Sequence, residues 1–183
     1  PGGSYFQAVP LVEVDIDSAR TSLVVSVGRS EGGDGTRRRF TYPSGFIPNV
    51  GTARTLRDFG GDLVFAGTAR GILTHAERLP TLAGKVAVVR GMFGSEAAAA
   101  DTLLARGAAG VVHLVGGEER YDLYVRSRGR SRMYSADGTQ GGSSFSPEIP
   151  AVIASPALEK LLLADWVAGP DPDRPDVLAG RRL

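Results

Sequence analysis

The chain has 183 residues, 42% of them hydrophobic and 22% charged, enough to bury one core and to organise one domain. Its net charge of +1 gives no overall field that would argue for nucleic acid or a membrane surface, and the absence of cysteine removes disulfides, thiolate zinc sites and cysteine nucleophiles together. No apolar run approaches the roughly 20 residues needed to span a bilayer, and no signal-peptide pattern is visible in the residues given.

After Pro1-Gly2-Gly3-Ser4, Val12, Val14 and Ile16 alternate with Glu13, Asp15 and Asp17, which predicts a half-buried strand over Leu11 to Asp17. Asp17-Ser18-Ala19-Arg20 supplies a turn, and Ser22 to Val27 a second strand with Leu23, Val25 and Val27 inward. Gly28 through Gly35 holds four glycines and reads as a loop. Arg37 to Tyr42 predicts a third strand, stopped by Pro43, so residues 1–60 are expected to form an antiparallel meander and a linking segment. Tyr42 to Gly61 shows no usable period. Asp62 to Ala66 predicts a strand closed by Gly67, and Thr68 to Leu82 a loop with a short helix around Thr74 to Arg78.

The strongest local pattern runs from Gly84 to Val115. Lys85-Val-Ala-Val-Val-Arg and Gly110-Val-Val-His-Leu-Val are near-continuous apolar runs, as strands buried on both faces require. Between them a helix is predicted from an N-cap at Ser95 to about Arg106, with Gly107 past its end and a small inward face of Ala97, Ala100, Leu103, Leu104 and Ala108. The three together make a β-α-β unit. Gly116 to Pro147, rich in Gly, Ser, Arg and Tyr, reads as a long loop with room for one hairpin. Ile149 to Ala154 predicts a last strand, followed by a helix capped by Ser155, opened by Pro156 and buried along Leu158, Leu161, Leu162 and Trp166. Residues 61–168 thus form the expected core. Residues 169–183, opening on Gly169-Pro-Asp-Pro-Asp-Arg-Pro-Asp, read as a tail leading to a further domain, and both ends read as cut edges of a longer or processed protein.

Several short patterns invite chemical readings. Asp58-Phe59-Gly60 spells the magnesium-binding tripeptide of protein kinases, but no glycine-rich loop or catalytic-loop motif accompanies it, so coincidence is the better reading. Gly91-Met-Phe-Gly-Ser stands where a phosphate-cradling loop would, yet lacks both nucleotide-binding spacings and reads instead as a tight turn. Of the two histidines, His113 falls inside an apolar strand as a core or edge residue, and His75 lies in a polar segment. No zinc-ligand spacing and no G-x-S-x-G elbow is present. The most unusual feature is Arg126, Arg128, Arg130 and Arg132, alternating, with Tyr121, Tyr124 and Tyr134 around them. On a strand the four guanidinium groups would share one face and hold phosphates or an acidic partner, with the tyrosines free to stack. Glu118, Glu119, Asp122 and Asp137 nearly balance that charge, so a solvated loop is the better reading, and the same holds for Arg37-Arg38-Arg39.

Taken in order, Asp62-Leu-Val-Phe-Ala-Gly, Leu82-Ala-Gly-Lys-Val-Ala-Val-Val-Arg-Gly-Met-Phe-Gly, the Ala97 to Ala105 helix, Arg106-Gly-Ala-Ala-Gly-Val-Val and Ile149-Pro-Ala-Val-Ile-Ala-Ser resemble the protease-associated domain over residues 61 to 165. The opening Gly3-Ser-Tyr-Phe-Gln-Ala-Val-Pro-Leu-Val is similar to the segment before this domain in bacterial zinc-dependent aminopeptidases that carry it as an insertion. The resemblance implies an α/β fold of the swivelling β/β/α type, with a compact β-barrel or sandwich core and flanking helices. It also implies a non-catalytic part of a secreted or periplasmic peptidase, shaping substrate access or contacting peptide and protein. No cofactor is implied in this chain, since zinc would sit in the surrounding peptidase domain, and no nucleic-acid partner or membrane span is implied. The Arg/Tyr segment, with Arg126, Arg128, Arg130, Arg132, Tyr124 and Tyr134, is the expected interaction surface. A free-standing peptide- or ligand-binding module using that loop is the rival expectation, and a small enzyme using His113 a weaker third.

Overall fold

A computed structural model describes residues 11–14, 16–28, 36–48, 58–91, 96–128, 132–135, 150–164 and 176–183. In chain order the elements are strands β1 (Leu11–Val14), β2 (Ser22–Val27), β3 (Thr36–Thr41), β4 (Phe46–Pro48) and β5 (Asp62–Thr68), helix α1 (Ala69–Thr74) and a 3-10 turn at Ala76–Arg78. Then come β6 (Val86–Arg90), α2 (Glu96–Ala105), β7 (Gly110–Leu114), α3 (Glu118–Arg128), β8 (Arg132–Ser135), β9 (Ala151–Ala154), α4 (Pro156–Leu162) and β10 (Asp176–Arg182).

The near-continuous apolar runs do become strands buried on both faces. β5, β6, β7 and β9 are parallel neighbours in the middle of an eight-stranded mixed sheet of order β3-β2-β10-β5-β6-β7-β9-β4. One face carries Val64, Ala66, Ala87, Val89 and Val111, covered by Ala69 and Ile72 of α1 and by Ala99, Ala100 and Leu103 of α2. The other face carries Leu63, Phe65, Val86, Val88, Val112 and Val152, covered by Leu158 and Leu162 of α4. Leu23 and Val25 of β2 and Phe46 of β4 join that second cluster, so the sheet curls and brings its two flanks over one core. The curl stops short of closure: β3 and β4 remain the ends of the ladder, linked through the Tyr42–Gly45 turn, where Gly45 N–H donates to Thr41 O at 2.7 Å. The α/β class holds: the described residues form four α-helices, an open curled eight-stranded sheet and a separate two-stranded sheet, and no closed barrel among them.

The β-α-β unit forms with β6 and β7 in parallel register from Val86 opposite Gly110 to Arg90 opposite Leu114. Gly107 takes φ +87°, the left-handed value that ends α2. Ala100, Leu103 and Ala108 are buried and Leu104 partly so. Ser95 and the side chain of Ala97 lie outside the described residues. Ser155 Oγ accepts the Leu158 N–H at 3.3 Å and Pro156 occupies the first turn of α4, as expected; Trp166 lies outside the described residues.

Other expectations are corrected. β2 and β3 pair antiparallel, from Ser22 opposite Thr41 to Val27 opposite Thr36, but β1 leaves that meander and pairs with β8 in a separate two-stranded sheet. An alternating pattern specifies a strand and its buried face without naming a partner about 120 residues away in sequence. The short helix expected around Thr74 to Arg78 is present as the 3-10 turn Ala76–Arg78, but α1 precedes it unannounced, capped by Thr68 Oγ, which accepts the Gly71 N–H at 3.0 Å. The expected tail contains β10, which lies between β2 and β5; Gly61 and Leu183 exchange both backbone hydrogen bonds at 3.0 Å beside it. The expected loop after β7 contains α3: Tyr121, Tyr124 and Val125 fall at i, i+3 and i+4, a short apolar stripe that packs on Ile47, Val115 and Ile153.

Candidate functional site: a cleft at the carboxyl edge of the sheet

Because β5, β6, β7 and β9 are parallel, their carboxyl ends line up along one edge. α1 and α2 lie over one face and α4 over the other, so the chain parts above that edge and leaves a cleft of about 1000 Å³. Open α/β sheets place ligands in this position. Thr68, Ala69 and Arg70 follow β5 into the cleft, Arg90 and Gly91 come from the end of β6, and Val115, Gly116, Gly117 and Arg120 come after β7. Pro156, Glu159, Lys160, Leu163 and Ala164 close it from α4.

Among the described residues, four cations and one carboxylate line this space. Glu159 Oε2 accepts the Gly116 N–H at 3.2 Å, and its Oε1 lies 3.6 Å from Arg90 Nη2. The Glu159 side chain is 16% exposed and that of Arg90 43%, so the acid is held against the wall while the guanidinium still reaches solvent. Arg120 Nη1 donates to Val115 O at 3.4 Å, which orients its guanidinium at the rim. Gly116 takes φ +73°, so the backbone can turn its N–H toward Glu159 without a Cβ. Thr68 is the one hydroxyl side chain among the described lining residues, and its Oγ already caps α1. The arrangement can therefore bind an anionic group against apolar walls.

Of the expected Arg/Tyr surface, the described side chains include only Arg126, which is exposed, and Tyr124, which is buried. Arg126 and Arg128 lie on helix α3, about 200° apart around its axis, while Arg132 and Tyr134 lie on β8. Arg130 lies outside the described residues, as do the side chains of Arg128, Arg132 and Tyr134. Tyr124 is 2% exposed and Tyr121 5%, so both rings belong to the core and neither is free to stack. The alternation of arginines begins on a helix and ends on a strand, so it does not mark one strand face. Tyr121 hydroxyl donates to Pro43 O at 2.5 Å and ties α3 to the turn between β3 and β4, and burial raises its pKa well above the usual phenol value.

No protein-family model and no curated protein matches the chain.

The remaining candidates find structural places. His113 is 1% exposed within β7, a core histidine. His75 follows α1, half-exposed, with Nδ1 3.5 Å from Glu77 Oε1. Phe59 of the Asp58-Phe59-Gly60 tripeptide packs on the core beside Gly110, and Arg37, Arg38 and Arg39 are exposed on edge strand β3. Residues 92–95 of the Gly91-to-Ser95 turn lie outside the described residues. Among the described residues no group of three or more histidine and carboxylate side chains could hold a metal ion, and no helix is long and apolar enough to cross a membrane. Sequence reading missed Arg70, Arg90, Arg120, Glu159 and Lys160. Their signal was position alone, at or just beyond the carboxyl ends of strands whose βαβ pattern already implied a parallel sheet.

Proposed function

We propose that the chain is a non-catalytic accessory domain of the protease-associated kind, of the swivelling β/β/α type, which holds peptide or protein segments in the carboxyl-edge cleft. In doing so it shapes access to a peptidase active site supplied by other residues of a secreted or periplasmic protein; zinc belongs to that peptidase. The observation that carries this reading is the cleft itself. Its apolar walls and few convergent polar groups are the composition of a binding site. The motif order supports the family resemblance, since Gly84-Lys85 turns into β6, Gly107 ends α2 and Pro150 leads into β9.

The test is a titration of the purified chain with a mixed peptide library, followed by backbone amide shifts, alongside hydrolysis of aminoacyl reporter substrates with and without zinc. Shifts at Gly91, Gly116 and Gly117 with no turnover are expected. Zinc-dependent turnover by this chain would overturn the proposal.

A further inference from the structure

Glu159 shows what the cleft accepts. One of its carboxylate oxygens takes the Gly116 N–H at 3.2 Å and the other faces Arg90 Nη2 at 3.6 Å. An internal carboxylate thus bridges a backbone donor and a guanidinium on the wall of the cleft. Three further cations, Arg70, Arg120 and Lys160, line the same space, and Glu159 is the one carboxylate among the described lining residues. One acid against four cations leaves the described lining with three positive charges in excess.

We infer that the cleft selects acidic peptide segments: a glutamate or aspartate side chain of the ligand seats on Arg90 and displaces Glu159, its resident counter-ion. This rests on the cleft being the peptide site. At about 1000 Å³ the space far exceeds a lone inorganic anion, and Val115, Pro156 and Leu163 offer apolar surface to the residues beside the acid. Arg90 supplies a planar pair of donors that matches a carboxylate. Glu159 competes for it through a long contact and is itself fixed by Gly116, so exchange costs the site little.

The experiment follows the amide signals of Gly91, Gly116 and Gly117 in the 183-residue chain. The probes are a decapeptide alternating glutamate with leucine, its glutamine-for-glutamate counterpart, and inorganic phosphate. The acidic peptide is expected to move all three glycines and to bind at least about tenfold more tightly than the neutral one, the value of one charge-assisted hydrogen bond. Millimolar phosphate should not displace it. Arg90→Gln should weaken acidic-peptide binding about tenfold and so narrow its advantage over the neutral peptide. Glu159→Gln keeps an acceptor for Gly116 while removing the competing charge, and should tighten acidic-peptide binding about threefold or more. Arg38→Gln, on β3 and outside the cleft, should change nothing. Equal affinity for the two peptides at these glycines overturns acid selection while leaving a peptide site in place; no shift with either peptide overturns both. Equal losses from Arg38→Gln and Arg90→Gln would reduce the effect to overall charge and also overturn the inference.

Discussion

Arg106 offers the sharpest test of how the scaffold under the cleft is held. It follows α2, half-buried, and its guanidinium donates through Nη2 to Ala76 O at 2.7 Å and through Nη1 to Leu79 O at 3.2 Å. Its own backbone carbonyl accepts the Leu82 N–H at 2.9 Å. One residue therefore fastens the 3-10 turn and the segment after it to the end of α2. Arg106→Met keeps the aliphatic stem and the backbone bond while removing both guanidinium bonds. Each charge-assisted bond contributes about 1.5–3 kcal/mol, the longer one at the low end. Releasing the arginine side chain returns up to about 2 kcal/mol of rotamer entropy, so the net cost should be near 2 kcal/mol. With a urea slope of about 2 kcal/mol per molar, the midpoint should fall by about 1 M at unchanged slope, and Tm by roughly 4–8 °C. Arg106→Lys should recover less than half, since one ammonium cannot span both carbonyls. A midpoint shift below about 0.3 M for Arg106→Met would refute the clamp.

Two other positions probe the same scaffold. Gly107→Ala places a Cβ at φ +87° and 3.3 Å from Ala83 Cα, and should cost about 1–2 kcal/mol in urea unfolding; a loss no larger than that of an exposed Ala substitution would show that the turn relaxes. Tyr121 has a pKa raised above its unfolded value near 10, first by burial and then by Tyr42 and Asp122. The folded chain then holds that proton more tightly than the unfolded chain, so this contribution is present below about pH 10 and is lost as pH rises beyond it. Tyr121→Phe should cost about 1 kcal/mol at pH 7 by removing the bond to Pro43 O, and should flatten the alkaline fall in stability. Identical alkaline profiles for the two proteins would refute a buried, bonded phenol.

Local patterns carried much of the fold. Val and Ala runs announced β6 and β7 as doubly buried strands, the small face of α2 and Gly107 announced the helix between them, and Ser155-Pro156 announced α4. These features depend on neighbours within about four residues, where periodicity and backbone conformation act directly. The misreadings arose where two periods competed or where a strand was short. Tyr121 and Tyr124 were helical core residues hidden under alternating arginines, and Phe46–Pro48 was too brief to show any period.

What no local pattern could announce is pairing across the chain. The residues of β10 are preceded by prolines and aspartates that read as a tail, yet they complete the sheet between β2 and β5 because their partners lie more than 100 residues away. The cleft is of the same kind. Arg70, Arg90, Arg120 and Glu159 are ordinary charged residues in the sequence, and they share one edge only because four parallel strands end there and the covering helices divide between the two faces. Composition and short-range periodicity determined which segments are buried and which helices are capped. Long-range strand order alone decided which charges meet, since a charge acquires a binding role from the groups facing it across space.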